Sequence, residues 1–358
     1  MKILGIETSC DETAAAVVED GHHLLSNVVA SSMDLHAQFG GVVPEIAARS
    51  HIESITPVID QALKEAFPST KSNPWNQIDG IAVTYGAGLG GSLLIGVLAA
   101  RTLAITNKKP LYAINHVEGH VYANFITSTS LSGYSPREKQ PIFPMLAIIV
   151  SGGHSQLALF RNHFDYTLLG QTQDDAIGEA FDKVAKIIGL PYPGGPSVSL
   201  KAAEGDPFAF DLPKAKLEGK YDFSFSGLKT AVLRLAQAQI GEDYTFPSTK
   251  LPERLSEAQK ANIAASFQHI AIATIVDKAK LAYDEFGPAS VVVGGGVAAS
   301  QELRRQLSSA LPLPIEFPDI KLCTDNGAMI ATLGCFKAMQ DQPAANPYTL
   351  DIAPNLSM

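Results

Sequence analysis

Cysteine and charge are scarce in this sequence. Its three cysteines, Cys10, Cys323 and Cys335, form neither a disulfide framework nor a Cys-x-x-Cys metal knuckle, which excludes a small disulfide-stabilised protein and favours a reducing compartment. Charged residues make up 18% of the chain and hydrophobic residues 46%, which excludes a disordered or fibrous chain and predicts a well-packed globular protein.

Long hydrophobic runs are absent as well. The most apolar helical stretch, Ser92–Ile105, is interrupted by Arg101 and falls short of the ~20 apolar residues that a membrane span needs. The chain starts directly with a strand pattern, with no basic and apolar leader before it. We therefore expect no membrane association and a cytoplasmic location.

Positive charge is also in short supply. The formal net charge is −9, which argues against a dedicated nucleic-acid binder because phosphate contacts need Lys and Arg. Between Lys183 and Arg234, however, eight Lys and Arg residues stand against five Asp and Glu. This local excess permits an RNA partner without demonstrating one, and a solvated surface is the simpler explanation.

Strand-like and helix-like segments alternate along the 358 residues, which predicts an α/β fold of about two domains. Three short strands are predicted over residues 1–32, and a similar strand pattern returns from Phe143. Such a repeat predicts two related lobes facing each other across a cleft. The segment Pro68–Gln77, rich in Ser and Pro, is predicted to be a surface loop.

The predicted lobes have bounds that follow from this repeat. Packing of the helix at about 325–340 back onto the first lobe is left open. The bounds are 1–125 for the first lobe, 126–141 for a loop or linker, 142–324 for the second lobe and 341–358 for a tail.

One glycine-rich segment, Gly86–Gly91 (GAGLGG), matches the Gly-x-Gly-x-x-Gly pattern of dinucleotide-binding turns. That pattern also needs an acidic residue about 20 positions later to bind the ribose. No Asp or Glu occurs between Asp79 and Glu118, so the match fails. We interpret these glycines as a tight strand-to-helix turn.

Three further glycine turns lie in the second predicted lobe: Ser151–His154 (SGGH), Pro193–Ser197 (PGGPS) and Gly294–Ser300 (GGGVAAS). Each alone is explained by turn geometry, and Ser300 is placed to cap a helix. Together they offer small residues and exposed backbone N–H groups that can bind phosphate. A structural role and a nucleotide cleft therefore both remain open.

The segment NHVEGH places His116 and His120 four residues apart, on one face of a helix. Glu118 would point away from that face, whereas the glutamate of a zinc protease directly follows the first histidine. A metal pair is plausible and a protease geometry is not. A polar face that happens to carry two histidines is the alternative. Asp325 is a candidate third ligand or, alternatively, a helix N-cap.

Nine motifs occur in an order that resembles the tRNA threonylcarbamoyladenosine transferase family (bacterial TsaD). The resemblance covers Lys2 to about Lys337. The motifs are ETSCDET, HAQFGGVVPEIAAR, NHVEGH, SGGHSQL, DDAIGEAFDK, YPGGPS, DFSFSGLKT, GGGVA and CTDNGAMIA.

The resemblance implies an actin/Hsp70/sugar-kinase type fold (ASKHA, RNase H-like), with two related lobes around a nucleotide cleft. It implies transfer of threonylcarbamoyl from threonylcarbamoyl-AMP to N6 of adenosine 37 in tRNAs reading codons that begin with A, with release of AMP. By resemblance the metal ligands are His116, His120 and Asp325. The implied nucleotide or substrate positions are Ile149, Val150, Ser151, Gly152, Gly153, Asp182, Gly195 and Ser300.

Two residues depart from the family pattern. Ser300 stands where the family usually has Asn, and its shorter side chain lacks the amide, which puts direct ligand contact at this position in doubt. Ala87 stands where the family commonly has Pro, a change that affects turn rigidity.

The expected chemistry starts from a weakly nucleophilic aromatic amine. A divalent metal with an open position can make the acyl carbon more electrophilic, and glycine-turn amides can bind the departing phosphate. Asp11 and Glu12 are candidate acceptors of the amine proton, or alternatively caps of a hairpin turn. Two nitrogens and one oxygen suit Fe(II) or Zn(II), and the resemblance favours Fe(II).

The family resemblance also implies partners: tRNA, a paralogous TsaB-type subunit and a TsaE-type ATPase. A homodimer is left open. Three other functions compete with the transferase. A small-molecule kinase of the same fold would not need His116 and His120, a metalloprotease rests on that pair alone, and a non-catalytic scaffold of the modification complex has no reason to keep all three ligands.

Overall fold

A computed structural model of the chain describes residues 1–69 and 73–358. The strands are β1 (Lys2–Glu7), β2 (Glu12–Glu19), β3 (His23–Ser31), β4 (Gly80–Gly86), β5 (Leu111–Asn115), β6 (Ser128–Thr129), β7 (Met145–Val150), β8 (Ser155–Asn162), β9 (Asp165–Gln171) and β10 (Ser290–Gly294). The helices are α1 (Met33–Ala37), α2 (Pro44–Ala66), α3 (Gly90–Asn107), α4 (His116–Tyr122), α5 (Ile177–Ile188), α6 (Gly194–Ala202), α7 (Ser226–Gln239), α8 (Leu251–Arg254), α9 (Glu257–Phe286), α10 (Gln301–Ala310) and α11 (Gly327–Met339).

The chain forms two compact units. One consists of Met1–Pro141 together with Phe317–Met358, and the other of Ile142–Glu316. Within the predicted loop Pro68–Gln77, residues 70–72 lie outside the described residues, and Pro74–Gln77 forms a short 3-10 helix.

The sheet of the first unit has the strand order β5-β4-β1-β2-β3-β6. Strands β1, β2 and β3 form an antiparallel meander, and β4 returns parallel to β1. The second unit repeats this arrangement, with the antiparallel β7, β8 and β9 and with β10 parallel to β7. The predicted α/β class and the predicted strand repeat are therefore present in both sheets.

Successive side chains of strand β1 point to opposite sides of the sheet, and residues 3–7 are all buried, so both faces of the strand are covered. Leu4 and Ile6 belong to the core that α2 and α3 cover. On the other face Gly5 lies directly under α11, where an added Cβ would come within 2.3 Å of the Ala331 backbone nitrogen. The absence of a side chain at Gly5 lets the helix pack against the strand backbone.

The segment between the two predicted lobes and residues 317–324 both belong to the first unit. Ser128–Thr129 adds a short strand to the first sheet, parallel to β3. Arg137 is buried and donates to Asn124 Oδ1 at 3.1 Å. The Ser135 amide donates to Asp319 Oδ2 at 2.5 Å. These contacts hold residues 126–141 and the chain around Asp319 to one body.

The predicted tail is also held to the first unit. The Arg101 guanidinium donates to three main-chain carbonyls, those of Pro347, Tyr348 and Leu350, at 2.6, 2.7 and 3.2 Å. Farther along, the Ala353 amide donates to Tyr85 O at 2.7 Å. The arginine that interrupts the apolar stretch of α3 is therefore the anchor of the tail.

Replacing Arg101 by alanine should loosen the tail without unfolding the unit. Hydrogen bonds to a charged group contribute about 1.5–3 kcal/mol each, so the amides of Ala345 and Ala353 should exchange with solvent at least about tenfold faster. Hydrogen exchange followed by mass spectrometry measures this. Arg101→Lys serves as the control. Its single ammonium cannot donate to the three carbonyls as the planar guanidinium does, so it should keep only part of the protection that Arg101→Ala loses. Unchanged exchange in both variants would show that Arg101 does not anchor the tail.

Helix α3 is, by length and composition, the one candidate membrane span among residues 1–69 and 73–358, with a mean hydropathy of 1.2. It packs against β4 and α2, with Leu93, Val97 and Ala100 buried. About a third of its residues are buried, and Leu94 and Leu98 are 41% and 46% exposed.

Candidate functional site

The histidine segment is helical, as its spacing predicts. Asn115 is the N-cap of α4, and its Oδ1 accepts hydrogen bonds from the Val117 and Glu118 amides at 2.9 and 3.3 Å. His116 and His120 are buried on the same face, and their ring centroids lie 4.7 Å apart. The helix begins at His116 because the Asn115 side chain accepts from two first-turn amides that would otherwise be unpaired.

Asp325 completes a cluster with this pair. Its Oδ1 lies 3.3 Å from His120 Nε2 and 3.6 Å from His116 Nε2, and one ligand atom from each residue falls within 4.8 Å of the others. The cap of α11 is Asn326, whose Oδ1 accepts from the Met329 amide at 3.1 Å. The capping role that we considered for Asp325 belongs to its neighbour.

The residues present fit a divalent metal ion. His120 is 1% exposed, and neither of its ring nitrogens makes a hydrogen bond to any of the described residues. Buried polar atoms in native proteins almost always have a partner, so an imidazole without one indicates a missing ligand. Two imidazoles and one carboxylate are a donor set that transition metals use, with coordination positions left over.

The electrostatics of the cluster favour a cation. Burial disfavours the charged imidazolium of His116, but the carboxylates of Asp325 and Glu7 outweigh it and raise its pKa to about 9. Burial, together with the carboxylates of Asp325 and Asp11, raises the pKa of Glu12 to about 9. These carboxylates disfavour one another's charge, and a bound cation relieves that repulsion.

Asp11 and Glu12, the candidate proton acceptors, lie in the turn between β1 and β2, and Glu12 is the first residue of β2. The hydroxyl of Ser32 donates to the main-chain oxygen of Asp11 at 2.8 Å. Ser31 Oγ donates to Glu12 Oε1 at 3.3 Å. Ser9, in the same turn, has its Oγ 3.1 Å from His116 Nδ1, which places this turn beside the cluster of His116, His120 and Asp325.

Glu118 contributes no oxygen to the cluster. It is buried, burial raises its pKa to about 7, and the opposing charge is that of Lys337 on α11. A glutamate that lies outside the ligand cluster does not match the general base of a zinc protease, as its position midway between the histidines predicts.

In the second unit, Ile149 and Val150 end the buried strand β7, and Ser151–His154 form the turn that follows. The Ser151 amide donates to His154 O at 2.8 Å, which closes the turn. A Cβ added at Gly152 or Gly153 would meet no atom within 4 Å. Packing does not explain these two glycines, so the space above them is open to a ligand.

The Ser151–His154 turn and the other two glycine turns lie near helix α5. A Cβ at Gly178 would lie 2.7 Å from Ser151 O, and one at Gly295, whose φ is +93°, would lie 2.4 Å from Val150 O. Gly178 belongs to the first turn of α5 and Gly295 follows β10. Two of the three predicted turns therefore lie against the N-terminal end of α5.

The third turn is tied to α5 by Asp182. Its Oδ1 accepts from the Gly194 amide at 2.6 Å, at the start of α6. A Cβ at Gly195 would meet nothing within 4 Å. Ser300 is the N-cap of α10 and accepts from the Leu303 amide at 3.4 Å. The structure thus uses Asp182 and Ser300 to support turns, and leaves Gly195 open.

The segment GAGLGG is not a dinucleotide site. A Cβ at Gly86 would lie 2.1 Å from Ala353 O, and the Gly88 amide donates to Pro354 O at 3.1 Å. The tail occupies the space that a pyrophosphate would need. The interpretation of these glycines as a tight turn is correct.

One residue at the site was not predicted. Glu7, at the end of β1, is fully buried, and its Oε2 lies 3.2 Å from His116 Nδ1. The signal for it was an acidic residue at the end of a strand, KILGIE, whose interior is apolar. A carboxylate in such a place needs a buried partner.

Comparison with known proteins identifies the family. The family model for TsaD, tRNA N6-adenosine threonylcarbamoyltransferase, matches residues 23–332. The chain belongs to this family. The predicted family and the transferase class are confirmed.

Curated TsaD relatives match over nearly their whole length, and each carries the name tRNA N6-adenosine threonylcarbamoyltransferase. The protein from Thermomicrobium roseum is 48% identical over 347 residues, which cover 95% of this chain and 93% of its own. That from Dehalococcoides mccartyi is 44% identical over 358 residues, which cover 100% and 99%. That from Symbiobacterium thermophilum is 48% identical over 337 residues, which cover 93% and 91%.

Solved structures with this fold are more distant in sequence. Full-length HypF in its phosphate- and nucleotide-bound form has a TM-score of 0.56 at 12% identity, covering 95% of this chain and 56% of its own. Component A of (R)-2-hydroxyglutaryl-CoA dehydratase from Acidaminococcus fermentans has a TM-score of 0.50 at 15% identity, covering 95% and 99%. At these identities the likeness concerns the fold alone, and the predicted actin-like fold is confirmed.

Proposed function

We propose that this TsaD family chain transfers the threonylcarbamoyl group of threonylcarbamoyl-AMP to N6 of adenosine 37 in tRNAs that read codons beginning with A, releasing AMP. The proposal rests on the buried ring of His120. Neither of its ring nitrogens has a hydrogen-bond partner among the described residues, and its Nε2 lies 3.3 Å from Asp325 Oδ1. The family to which the chain belongs is named for this transfer. A small-molecule kinase has no use for such a cluster.

His116, His120 and Asp325 would hold one divalent metal, Fe(II) or Zn(II). When bound, the metal supplies a Lewis acid that makes an acyl carbon more electrophilic. The protein contributes a fixed ligand geometry, because both histidines sit on one capped helix and Asp325 immediately precedes the capped helix α11. Pre-organised ligands place the metal without a further ordering cost.

Asp11 would accept the proton that the N6 amine loses on acylation, or Glu12 would, once a bound cation has returned its raised pKa toward the usual carboxyl range. The support for these two residues is that Ser9 Oγ, in the same turn, lies 3.1 Å from His116 Nδ1. Breaking the bond from the acyl carbon to the adenylate phosphate leaves the electron pair on AMP, and forming the bond to N6 leaves one proton to be removed.

The SGGH turn would bind the phosphate of the adenylate through its main-chain amides. Gly152→Ala should leave the stability of the protein unchanged, since its Cβ meets no atom within 4 Å. The methyl group would nevertheless hold a phosphate away from the backbone. We expect the KM for threonylcarbamoyl-AMP to rise roughly tenfold, the equivalent of one net hydrogen bond of about 1.4 kcal/mol.

The matched control is Gly227→Ala, at an exposed glycine of the same unit whose Cβ would also meet nothing. Its KM should equal that of the parent protein, and its thermal midpoint should be equal or slightly higher, because alanine favours the helix α7 in which Gly227 lies. If Gly152→Ala also leaves the KM unchanged, the turn does not bind the adenylate.

The transfer itself is tested with chemically prepared threonylcarbamoyl-AMP and an unmodified tRNA, followed by nucleoside digestion and mass spectrometry. The chain is assayed alone and with TsaB-type and TsaE-type proteins added, beside His116→Ala. Modified adenosine that disappears in the variant supports a metal-dependent transferase. No product with partners present, from folded and metal-loaded protein, would favour the scaffold or kinase function instead.

A further inference from the structure

Glu7 lies behind the first histidine of the cluster, on the side away from Asp325. Its carboxylate is fully buried in the first unit. Oε1 accepts from the Ser9 amide at 2.5 Å, and Oε2 accepts from Thr84 Oγ1 at 2.5 Å. The same Oε2 lies 3.2 Å from His116 Nδ1. Three groups, the Ser9 amide, Thr84 Oγ1 and His116 Nδ1, therefore lie within hydrogen-bond distance of one carboxylate at the end of β1.

These hydrogen bonds define which nitrogen of His116 carries a proton when the other binds a metal. Both oxygens of Glu7 already act as acceptors, so His116 Nδ1 must donate to Oε2. Its Nε2 then presents a lone pair, and this is the atom that lies 3.6 Å from Asp325 Oδ1. Ser9 Oγ, 3.1 Å from Nδ1, is compatible with the same proton.

His120 has no such support. Neither of its ring nitrogens has a hydrogen-bond partner among residues 1–69 and 73–358. The two histidines therefore differ: Glu7 binds the Nδ1 of His116, whereas the Nδ1 of His120 has no hydrogen-bond partner among the described residues.

We propose that Glu7 is a positioning residue that fixes His116 in the tautomer and ring orientation with which Nε2 binds a divalent metal. The proposal rests on the metal site of the proposed function. A carboxylate that accepts from a ligating imidazole also increases the basicity of that imidazole, and such partners change metal affinity about 10- to 100-fold.

The substitution Glu7→Gln tests this with Zn(II) as the probe. Glutamine offers one acceptor oxygen in place of two and adds an N–H donor, so it cannot accept from Ser9, Thr84 and His116 together. We expect the Zn(II) affinity, measured by chelator competition, to fall about 10- to 100-fold. The control Glu19→Gln makes the same charge change at the far end of β2 and should leave the affinity unchanged.

A second measurement does not depend on how well the variant folds. In the Zn(II)-loaded parent protein, ¹⁵N-histidine NMR should show His116 protonated at Nδ1 and coordinated through Nε2. Coordination through Nδ1 would overturn the proposal, as would a folded Glu7→Gln protein with parental Zn(II) affinity.

The proposed function can fail separately. If His116→Ala also retains parental Zn(II) affinity, the metal site itself is wrong. If His116→Ala loses affinity while Glu7→Gln keeps it, only the role of Glu7 is wrong. If the carboxylate is the active group, Glu7→Asp should bind Zn(II) more tightly than Glu7→Gln but less tightly than the parent protein. Glu7→Ala should show no such recovery.

Discussion

The His120→Ala variant should lose divalent-metal binding, and with it the transfer of threonylcarbamoyl to tRNA. His120 Nε2 lies 3.3 Å from Asp325 Oδ1, and the ring makes no hydrogen bond to any described residue, so a metal is the partner that its burial requires. Loss of a ligand must cost more than loss of an outer partner, so we expect the Zn(II) affinity to fall by more than about 100-fold.

Chelator competition measures the affinity, and digestion of the tRNA measures the product. The substitution also removes buried packing, so the thermal midpoint must be recorded for the same sample. His22→Ala, at a partly exposed histidine of the same unit, is the control and should bind metal as the parent does. A folded His120→Ala protein with parental affinity would refute the assignment of this residue as a ligand.

The Gly5→Ala variant should be severely destabilised. The added Cβ would lie 2.3 Å from Ala331 N and 2.4 Å from Gly327 O, both of which are backbone atoms of α11. A backbone cannot rotate out of the way as a flexible side chain can, so the helix and the strand must separate. Overpacking of this kind costs about 3 kcal/mol or more in free energy of unfolding.

Urea unfolding measures the loss, and Gly41→Ala provides the matched control, because its Cβ would meet no atom within 4 Å. We also expect weaker Zn(II) binding by Gly5→Ala, since α11 begins two residues after Asp325 and carries that ligand with it. If Gly5→Ala is as stable as Gly41→Ala, α11 does not pack against β1 as closely in solution as it does in this structure.

Much of the site was readable from local spacing. Four residues per helical turn, roughly, place His116 and His120 on one face, and Asn115 is the kind of residue that starts a helix there. The glycine turns were also evident, although their two roles were not separable: a positive φ and close packing explain Gly295, whereas open space surrounds Gly152. A sequence shows that a glycine is present but not which atom would clash with a side chain.

Long-range contacts were not readable. Glu7 reaches Thr84 and His116, which are distant in the chain, and nothing in the local pattern pairs them. Asp325 was left with two roles, because both it and Asn326 are good caps; only the hydrogen bond from the Met329 amide decides between them. The tail has no hydrophobic period, and its position depends on main-chain carbonyls bound by Arg101.

The division of the first unit into two chain segments has a consequence for synthesis on the ribosome. The second unit is continuous, Ile142–Glu316, whereas the first needs Phe317–Met358 for completion. At roughly 5–20 residues per second, Asp325 is added about 10–40 s after His116. The nascent chain thus carries the two candidate histidine ligands without Asp325, and without α11 over β1, until the second unit has been synthesised. Loading of the proposed metal would therefore be a late event, after translation of the part of the chain that contains the glycine turns.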